Sequence, residues 1–103
     1  MRYKRWDIYY AEVKFEESPE SKQRPIIIYN DAEAFVVSIK VTSQNMRPGD
    51  YQIQDWADAG LAKPSVARLD KMIHVSKVDI KKRIGRLTEK DIQLLTYTAQ
   101  IST

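Results

Sequence analysis

Hydrophobic and polar residues alternate along two stretches of the chain, Asp7–Phe15 and Phe35–Thr42. Alternation with period two, carried by aromatic and β-branched residues, is typical of strands that bury one face. A third stretch, Pro25–Tyr29, is apolar throughout and predicts a short strand, with the proline tolerated at its first position. The polar residues 16–24 contain Pro19 and predict an exposed loop between the first two strands.

The second half of the chain predicts further short strands. Tyr51–Trp56 forms one candidate and Ser65–Val75 another. Lys71 falls on the apolar side of the alternation in the latter, which indicates a bulge at that point. The segment that starts at Val78 is rich in lysine and arginine and predicts a basic connector.

The last part of the chain predicts a helix. Thr88 fits an N-cap, and Glu89 and Asp91 give the first turn the acidic character that a helix N-terminus favours. Apolar residues then recur at helical spacing, namely at Ile92, Leu95 and Ala99. Five or so short strands and one C-terminal helix predict a mainly β fold, a small barrel or strongly bent sheet, in one domain over residues 1–103.

Composition narrows the possible chemistry. The 103 residues are 43% hydrophobic and 30% charged, which is ordinary for a globular protein. The absence of cysteine excludes disulfides, thiolate metal sites and thiol nucleophiles. No apolar run is long enough to span a bilayer, and no apolar segment follows the basic N-terminus as in a signal peptide, so we expect a cytoplasmic protein without a membrane partner.

Positive charge is concentrated in one part of the chain. The net charge is +3, yet residues 63–86 contain eight Lys or Arg and only two Asp. Such a basic face suits a polyanion, because phosphate contacts release counterions. An ordinary solvated surface remains the alternative.

The sequence lacks the motifs of several common enzyme classes. Three glycines cannot form a P-loop or a dinucleotide fingerprint, and His74 has no nucleophile elbow nearby. Polar side chains on strand faces remain. Arg68 and Asp70 are two residues apart in a predicted strand and so share a face, where they form either a cation and base or a surface ion pair. Thr42 ends a strand and Arg24 precedes one; each is either a phosphate ligand or an ordinary boundary residue.

Three stretches together resemble the MazF/PemK (Kid) family of toxin ribonucleases. The first is Asp7–Val13, followed after a polar loop by Lys22–Ile28 with its Lys-x-Arg-Pro entry into a strand. The second is Val36–Ser43, which ends in Thr-Ser. The third is Gly60–Asp70, which continues through Lys82–Thr88 into the last helix. The match spans nearly the whole chain, and the order and spacing of the three stretches make it specific.

The resemblance implies an SH3-like small barrel of the MazF/PemK/CcdB type with a C-terminal helix, acting as a homodimer. It also implies a sequence-selective endoribonuclease that cleaves single-stranded RNA without a metal or other cofactor. In such enzymes the 2′-hydroxyl of the substrate attacks the adjacent phosphorus, leaving a 2′,3′-cyclic phosphate and a 5′-hydroxyl. The expected partner is a cognate antitoxin whose acidic, disordered tail lies in the RNA groove.

Carried over position by position, the resemblance implies four catalytic residues. Arg24 would stabilise the phosphorane and donate the proton, Thr42 would position the phosphate, Asp70 would accept the 2′-proton, and Arg68 would assist as acid or clamp. We expect further RNA contacts from Lys22, Lys40, Ser43, Gln44 and Lys71.

The chain departs from the family pattern at several positions. Trp6 stands where a glycine is usual, and Lys40 where a proline is usual. The loop at residues 16–24 lacks the histidine that some relatives use and carries three glutamates instead.

Two other functions remain open. The same architecture serves CcdB, a gyrase-poisoning toxin, so a non-catalytic toxin-fold module is one alternative. A nucleic-acid-binding SH3-like adaptor that relies on its basic face is another.

Overall fold

The computed structural model describes residues 2–14, 21–43 and 45–101 of the chain. Its elements in chain order are β1 Asp7–Lys14, β2 Ser21–Asp31, β3 Phe35–Thr42, β4 Tyr51–Gln52, β5 Val66–Ser76, a 3-10 turn at Lys77–Asp79, β6 Ile80–Arg86 and α1 Glu89–Ile101. The strands form one antiparallel sheet in the order β4-β5-β3-β2-β1-β6. The expectation of a mainly β fold with a C-terminal helix is confirmed. In the described ranges β4 and β6 are opposite edges, so the sheet does not close through hydrogen bonds into a full barrel.

Three predicted boundaries were wrong, each because of pairing between distant residues. The expected loop before Pro25 is part of β2, since residues 21–24 pair with the end of β1. The expected basic connector contains β6, which pairs antiparallel with β1. The predicted strand at 51–56 ends after Gln52, and the chain then turns so that Ile53 and Ala59 are buried in the core.

Apolar residues on the two faces of the sheet form two separate cores. One contains Ile8, Ile27 and Ile39, with Leu95 of α1 packed against them. The other contains Tyr9 and Ile26. Neighbouring residues of a strand point to opposite faces, so Ile26 and Ile27 belong to different cores. This explains why the middle of β2 is apolar throughout instead of alternating.

The bulge that the sequence indicates near Lys71 is confirmed in β5. Ile39 of β3 pairs with Met72, whereas the next residue, Lys40, pairs with Arg68. Three residues of β5, at positions 69–71, therefore lie between two consecutive pairs. The bulge separates the N-terminal end of β5, which lies against the end of β3, from the rest of the strand.

Trp6 has the backbone conformation that its usual glycine would adopt. Its φ is +77°, in the left-handed region that costs an L-residue about 1–2 kcal/mol. Two backbone hydrogen bonds fix this turn: the Trp6 N–H donates to the Ile28 carbonyl at 2.7 Å and the Leu87 N–H donates to the Trp6 carbonyl at 3.1 Å. The indole ring also contacts Tyr29 edge-on, at 5.9 Å between centroids. The chain thus keeps the turn and adds aromatic packing.

Gly85 allows β6 to lie close to the turns after β4. A Cβ atom at this position would lie 2.0 Å from the Ala59 carbonyl oxygen, which is backbone and cannot move aside cheaply. The glycine of the Ile-Gly-x-Leu motif is therefore required by close backbone packing.

Asp91 connects the start of α1 to the turns that follow β4. Its carboxylate is fully buried and accepts hydrogen bonds from the Tyr51 hydroxyl and from the backbone N–H groups of Gln54 and Asp55, the last two at 2.8 Å. Thr88 caps the helix as predicted, with its Oγ1 3.4 Å from the Asp91 N–H. Burial raises the pKa of Asp91, but the hydrogen bonds from Tyr51 and the two backbone groups outweigh it and hold the pKa below its usual value.

Replacement of Asp91 by asparagine is expected to lower the free energy of unfolding by about 1–3 kcal/mol, because one buried acceptor becomes a donor that faces N–H groups. Since the folded-state pKa of Asp91 is depressed, its ionisation stabilises the fold above about pH 4 and this contribution is lost as pH falls through the lower folded value. Urea unfolding between pH 2.5 and 7 measures both effects. Asp58→Asn, at an exposed position, is the control; equal curves for the two variants would contradict the assignment.

Among the described residues, no helix has the length and apolar character needed to cross a membrane.

Candidate active site

The register of β2 and β3 brings Arg24 and Thr42 together. Ile26 of β2 pairs with Lys40 of β3 in antiparallel register, and Arg24 and Thr42 lie two residues beyond this pair on their strands, where both line one cavity. Both residues project on the face that carries Ile26 and Lys40, because residues two apart in a strand share a face. Two of the four predicted catalytic residues are thus neighbours.

Lys40 and Arg68 occupy the adjacent row on the same face. They are paired residues of β3 and β5, and Thr42 pairs with Val66 one row further. The end of this face therefore carries Arg24, Lys40 and Arg68 around one threonine hydroxyl. Arg24 and Lys40 carry positive charge next to this hydroxyl and favour an anionic ligand such as a phosphodiester, whereas the charge of Arg68 is offset by Asp50.

A cavity of about 210 Å³ lies where these strands meet the segment before β5. Arg24 and Thr42 both line it, together with Ser43, and the opposite wall includes Lys63 and Ser65. Its other lining residues are Tyr10, Gln23, Pro25, Val41, Leu61 and Ala62. Arg24 and Thr42 are half-buried, so the cavity wall fixes them in part and leaves them accessible to a ligand.

Lys63 and Tyr10 were not among the residues predicted for the site. The sequence marks Lys63 only as one of several basic residues in the range 63–86, although it lies between Gly60 and Pro64 in the Gly-Leu-x-x-Pro-Ser stretch. Its position in this family-like motif could have indicated that Lys63 belongs to the site. Tyr10 gave none, because an aromatic residue in an alternating strand is ordinarily a packing residue.

Arg68 does not pair with Asp70, as the alternation suggested, but with Asp50. Its Nη1 donates to Asp50 Oδ2 at 3.0 Å, and the two side chains are only 4% and 1% exposed. The same Asp50 oxygen accepts the backbone N–H of Arg47 at 2.8 Å. The ion pair therefore fastens the loop that follows Pro48 to the start of β5.

Asp70 lies in the bulge of β5 and is exposed. Within the described ranges its carboxylate forms no ion pair with Arg68, because Asp50 occupies the guanidinium and the bulge interrupts the alternation that would have aligned the two side chains. Asp70 is thus exposed on β5, four residues beyond Val66, the residue that pairs with Thr42.

The predicted RNA-binding residues fall into two groups. Lys22, Lys40 and Ser43 are described; Lys22 and Ser43 are exposed and Lys40 is half-buried. Gln44 and the side chain of Lys71 lie outside the described residues. Ser43 directly follows Thr42 and lines the cavity, and Lys22 lies two residues before Arg24 on β2, so both are at the rim of the site.

His74 does not contribute to this site. The His74 ring packs edge-on against Phe35 at 4.9 Å, on the far side of the bulge. Within residues 2–14, 21–43 and 45–101, no three His, Asp or Glu side chains converge as metal ligands would. The charged side chains that line the cavity with Thr42 are those of Arg24 and Lys63, whose positive charge suits a phosphate.

The sequence and the fold both match known proteins. A family model described as "PemK-like, MazF-like toxin of type II toxin-antitoxin system" matches residues 4–102. The Mycobacterium tuberculosis toxin MazF-mt6 superposes with a TM-score of 0.75 at 20% identity, covering 93% of this chain and 94% of that one. An endoribonuclease in complex with its cognate antitoxin, from a mycobacterial species, superposes with a TM-score of 0.72 at 13% identity, covering 95% and 91%. Among curated proteins, none matches the sequence of this chain.

Proposed function

Because the chain belongs to the family of PemK-like, MazF-like toxins of type II toxin–antitoxin systems, we propose that it is a metal-independent endoribonuclease that cleaves single-stranded RNA. The observation that carries the proposal is the juxtaposition of Arg24 and Thr42 on adjacent strands, at a cavity whose surroundings are cationic. A toxin that only bound a protein partner would not need an arginine and a hydroxyl aligned in this way.

The proposed reaction is an internal transfer within the RNA. The 2′-oxygen forms a bond to the adjacent phosphorus, the bond from phosphorus to the 5′-oxygen breaks, and the products are a 2′,3′-cyclic phosphate and a 5′-hydroxyl. One proton leaves the 2′-oxygen and one reaches the 5′-oxygen. The enzyme must supply a base, an acid and positive charge at the phosphorane, where negative charge develops.

We assign these roles to residues that line the cavity and to Lys40 and Asp70 on the strands beside it. The Arg24 guanidinium binds two phosphate oxygens and delivers the proton to the leaving 5′-oxygen, with electrostatic stabilisation as its main contribution because its pKa is high. The Thr42 hydroxyl donates a hydrogen bond to a non-bridging oxygen. Lys40 and Lys63 add positive charge around the same phosphate, and exposed Asp70 is the candidate base.

The role that we propose for Arg68 differs from the role as acid or phosphate clamp that the family resemblance implies. Its guanidinium is buried against Asp50, so it acts as a positioning residue that fastens the loop before β4 beside the site. Lys22 and Ser43 at the rim are proposed to bind flanking nucleotides, and the same role is proposed for Gln44 and Lys71.

The proposal extends to partners and location. The fold neighbour solved with its cognate antitoxin supports an antitoxin partner for this chain, and the cationic site suits an acidic, disordered antitoxin segment that competes with RNA. We propose that the active form is a homodimer, as the family resemblance implies. Its substrate places it in the cytoplasm.

The test is cleavage of a long unstructured RNA by the pure protein in EDTA. We expect fragments that carry 5′-hydroxyl ends and 2′,3′-cyclic phosphate ends, and no cleavage of the same RNA made with 2′-O-methyl riboses. If the protein instead inhibits gyrase and leaves RNA intact, it is a non-catalytic toxin and the proposal is wrong. Fragments with 5′-phosphate ends would contradict the proposed chemistry.

Replacement of Thr42 by alanine is expected to slow cleavage by about 10²–10³-fold, the usual effect of removing one preorganised donor from a developing oxyanion. Single-turnover cleavage rates measure this loss. The matched control is Thr96→Ala on α1, where the threonine hydroxyl donates to the Ile92 carbonyl of its own helix. If the Thr42→Ala protein cleaves RNA at the rate of the control, Thr42 has no catalytic role.

A further inference from the structure

A second cationic cavity lies at the other side of β1. It has a volume of about 490 Å³ and is lined by Arg2, Lys4, Asp7, Tyr9, Arg83 and Arg86. Four of these six side chains are cationic and one is anionic. A cavity of this size is in the range of ordinary ligand sites.

The two arginines from β6 are held in place by the buried carboxylate. Arg83 Nε donates to Asp7 Oδ2 at 3.3 Å, and Arg86 Nη1 donates to Asp7 Oδ1 at 3.1 Å. Asp7 is 9% exposed, whereas the arginine side chains are 51% and 47% exposed. Asp7 therefore orients two guanidinium groups whose side chains remain half in solvent.

The arginines retain most of their donor capacity. A guanidinium has five N–H groups; among the described residues, Arg83 donates one N–H to Asp7, and Arg86 donates to Asp7 and to the Arg5 carbonyl at 3.0 Å. Arg2 and Lys4 are exposed and line the same cavity. Preoriented arginine donors beside further cations are the arrangement that proteins use to bind phosphate oxygens.

Tyr9 adds a neutral donor to this set. Burial and the Asp7 charge raise the pKa of its hydroxyl, so it remains protonated. A protonated hydroxyl can donate to a phosphate oxygen without adding negative charge to the cavity.

This cavity is connected to the candidate active site through the sheet. Tyr9 of β1 is paired with Arg83 on one side and with Ile26 on the other, and Ile26 is paired with Lys40. Arg83 and Lys40 are thus three strands apart in one row, which at about 4.8 Å a strand is roughly 14 Å. A few nucleotides of an extended RNA strand span that distance.

We propose that this second cavity binds a phosphodiester of the RNA strand that flanks the cleaved bond. The proposal rests on the ribonuclease function proposed above. It assigns to Arg2, Lys4, Arg83 and Arg86 a phosphate several nucleotides from the one at Arg24, so the enzyme holds its substrate at two points. Two-point binding orients a single strand that has no helical shape for the protein to recognise.

Binding of an uncleavable RNA tests the proposal. The probe is a fluorescent single strand made with 2′-O-methyl riboses, and the variant is Arg2→Gln/Lys4→Gln, which leaves the Asp7 ion pairs intact. The matched control is Lys81→Gln/Lys82→Gln, which removes the same charge from exposed positions of β6 outside the cavity lining. Anisotropy titrations from 50 to 300 mM KCl give the Kd and its salt dependence.

We expect Arg2→Gln/Lys4→Gln to raise the Kd about tenfold relative to the control, and to reduce the slope of log K against log salt by about 1.4, or 0.7 for each lost phosphate contact. Arg83→Gln, checked by its melting temperature because Asp7 keeps only Arg86, should weaken binding in the same direction. Equal Kd values and slopes for the pocket variant and the control overturn the proposal.

Three further outcomes are informative. If Arg2→Gln/Lys4→Gln weakens binding of a poly-glutamate peptide but not of RNA, the cavity serves an acidic protein segment and the proposal is wrong. If the parent protein cleaves RNA while Arg2→Gln/Lys4→Gln binds RNA like the control, the ribonuclease proposal stands and only the proposal of a second binding site is wrong. If the parent neither cleaves nor binds RNA, both proposals fail together.

Discussion

An Arg24→Ala protein is expected to cleave RNA about 10³-fold or more slowly than the parent protein while unfolding at nearly the same urea concentration. Removal of an arginine that stabilises a phosphoryl transition state costs about 10³–10⁵-fold in related chemistry. Arg24 is half-buried and lines the same cavity as Thr42, so under the proposed assignment its loss removes the main positive charge at the reacting phosphate. Single-turnover rates on one RNA substrate, with urea unfolding of each variant, provide the measurement.

Two companion variants separate charge from shape. Arg24→Lys keeps the charge but loses the two parallel N–H donors, so we expect it to recover only part of the rate. Lys81→Ala removes one charge from an exposed position of β6 and should cleave within about twofold of the parent, as one surface charge contributes little. Parent-like cleavage by Arg24→Ala, or equal losses for Arg24→Ala and Lys81→Ala, would contradict the assignment.

Local sequence patterns predicted those elements in which the polar and apolar residues alternate regularly or in which capping residues mark an end. β3 has the predicted bounds, because its alternation is regular and both ends are marked by polar residues. The start of α1 follows from Thr88 and the acidic first turn. The sequence of β6 shows no alternation of polar and apolar residues that would predict a strand, because exposed basic residues outnumber the few buried ones such as Ile80. It forms by pairing with β1, about seventy residues away.

The candidate site shows the same division. Arg24 and Thr42 were chosen through the family resemblance, but nothing in either local pattern shows that they face each other. Their alignment depends on the register between β2 and β3, which only the three-dimensional structure gives. Arg68 shows the opposite error: local spacing suggested Asp70, two residues away, whereas its partner is Asp50, 18 residues away in the preceding loop.

Replacement of Asp50 by alanine is expected to lower the free energy of unfolding by about 3–5 kcal/mol, because the Arg68 guanidinium would remain buried without its counter-charge. The Arg47 N–H would lose its acceptor as well. Arg68→Met should be similarly destabilising, since it leaves Asp50 buried and unpaired. Urea unfolding at neutral pH measures both losses, and Asp58→Asn at an exposed position provides the unaffected reference.

The double variant Asp50→Leu/Arg68→Met then distinguishes the two roles considered for Arg68. Replacing both partners of a buried ion pair by apolar residues of similar size is often neutral for stability, so the double variant should unfold near the parent's urea midpoint and well above either single variant. If Arg68 acts by fastening the loop, the folded double variant keeps Arg24 and Thr42 in register and cleaves RNA within about tenfold of the parent. If Arg68 instead contacts the phosphate, the double variant folds but loses cleavage as severely as Arg24→Ala. A large loss of cleavage rate in a stable double variant would therefore show that Arg68 contacts the phosphate and is a catalytic residue.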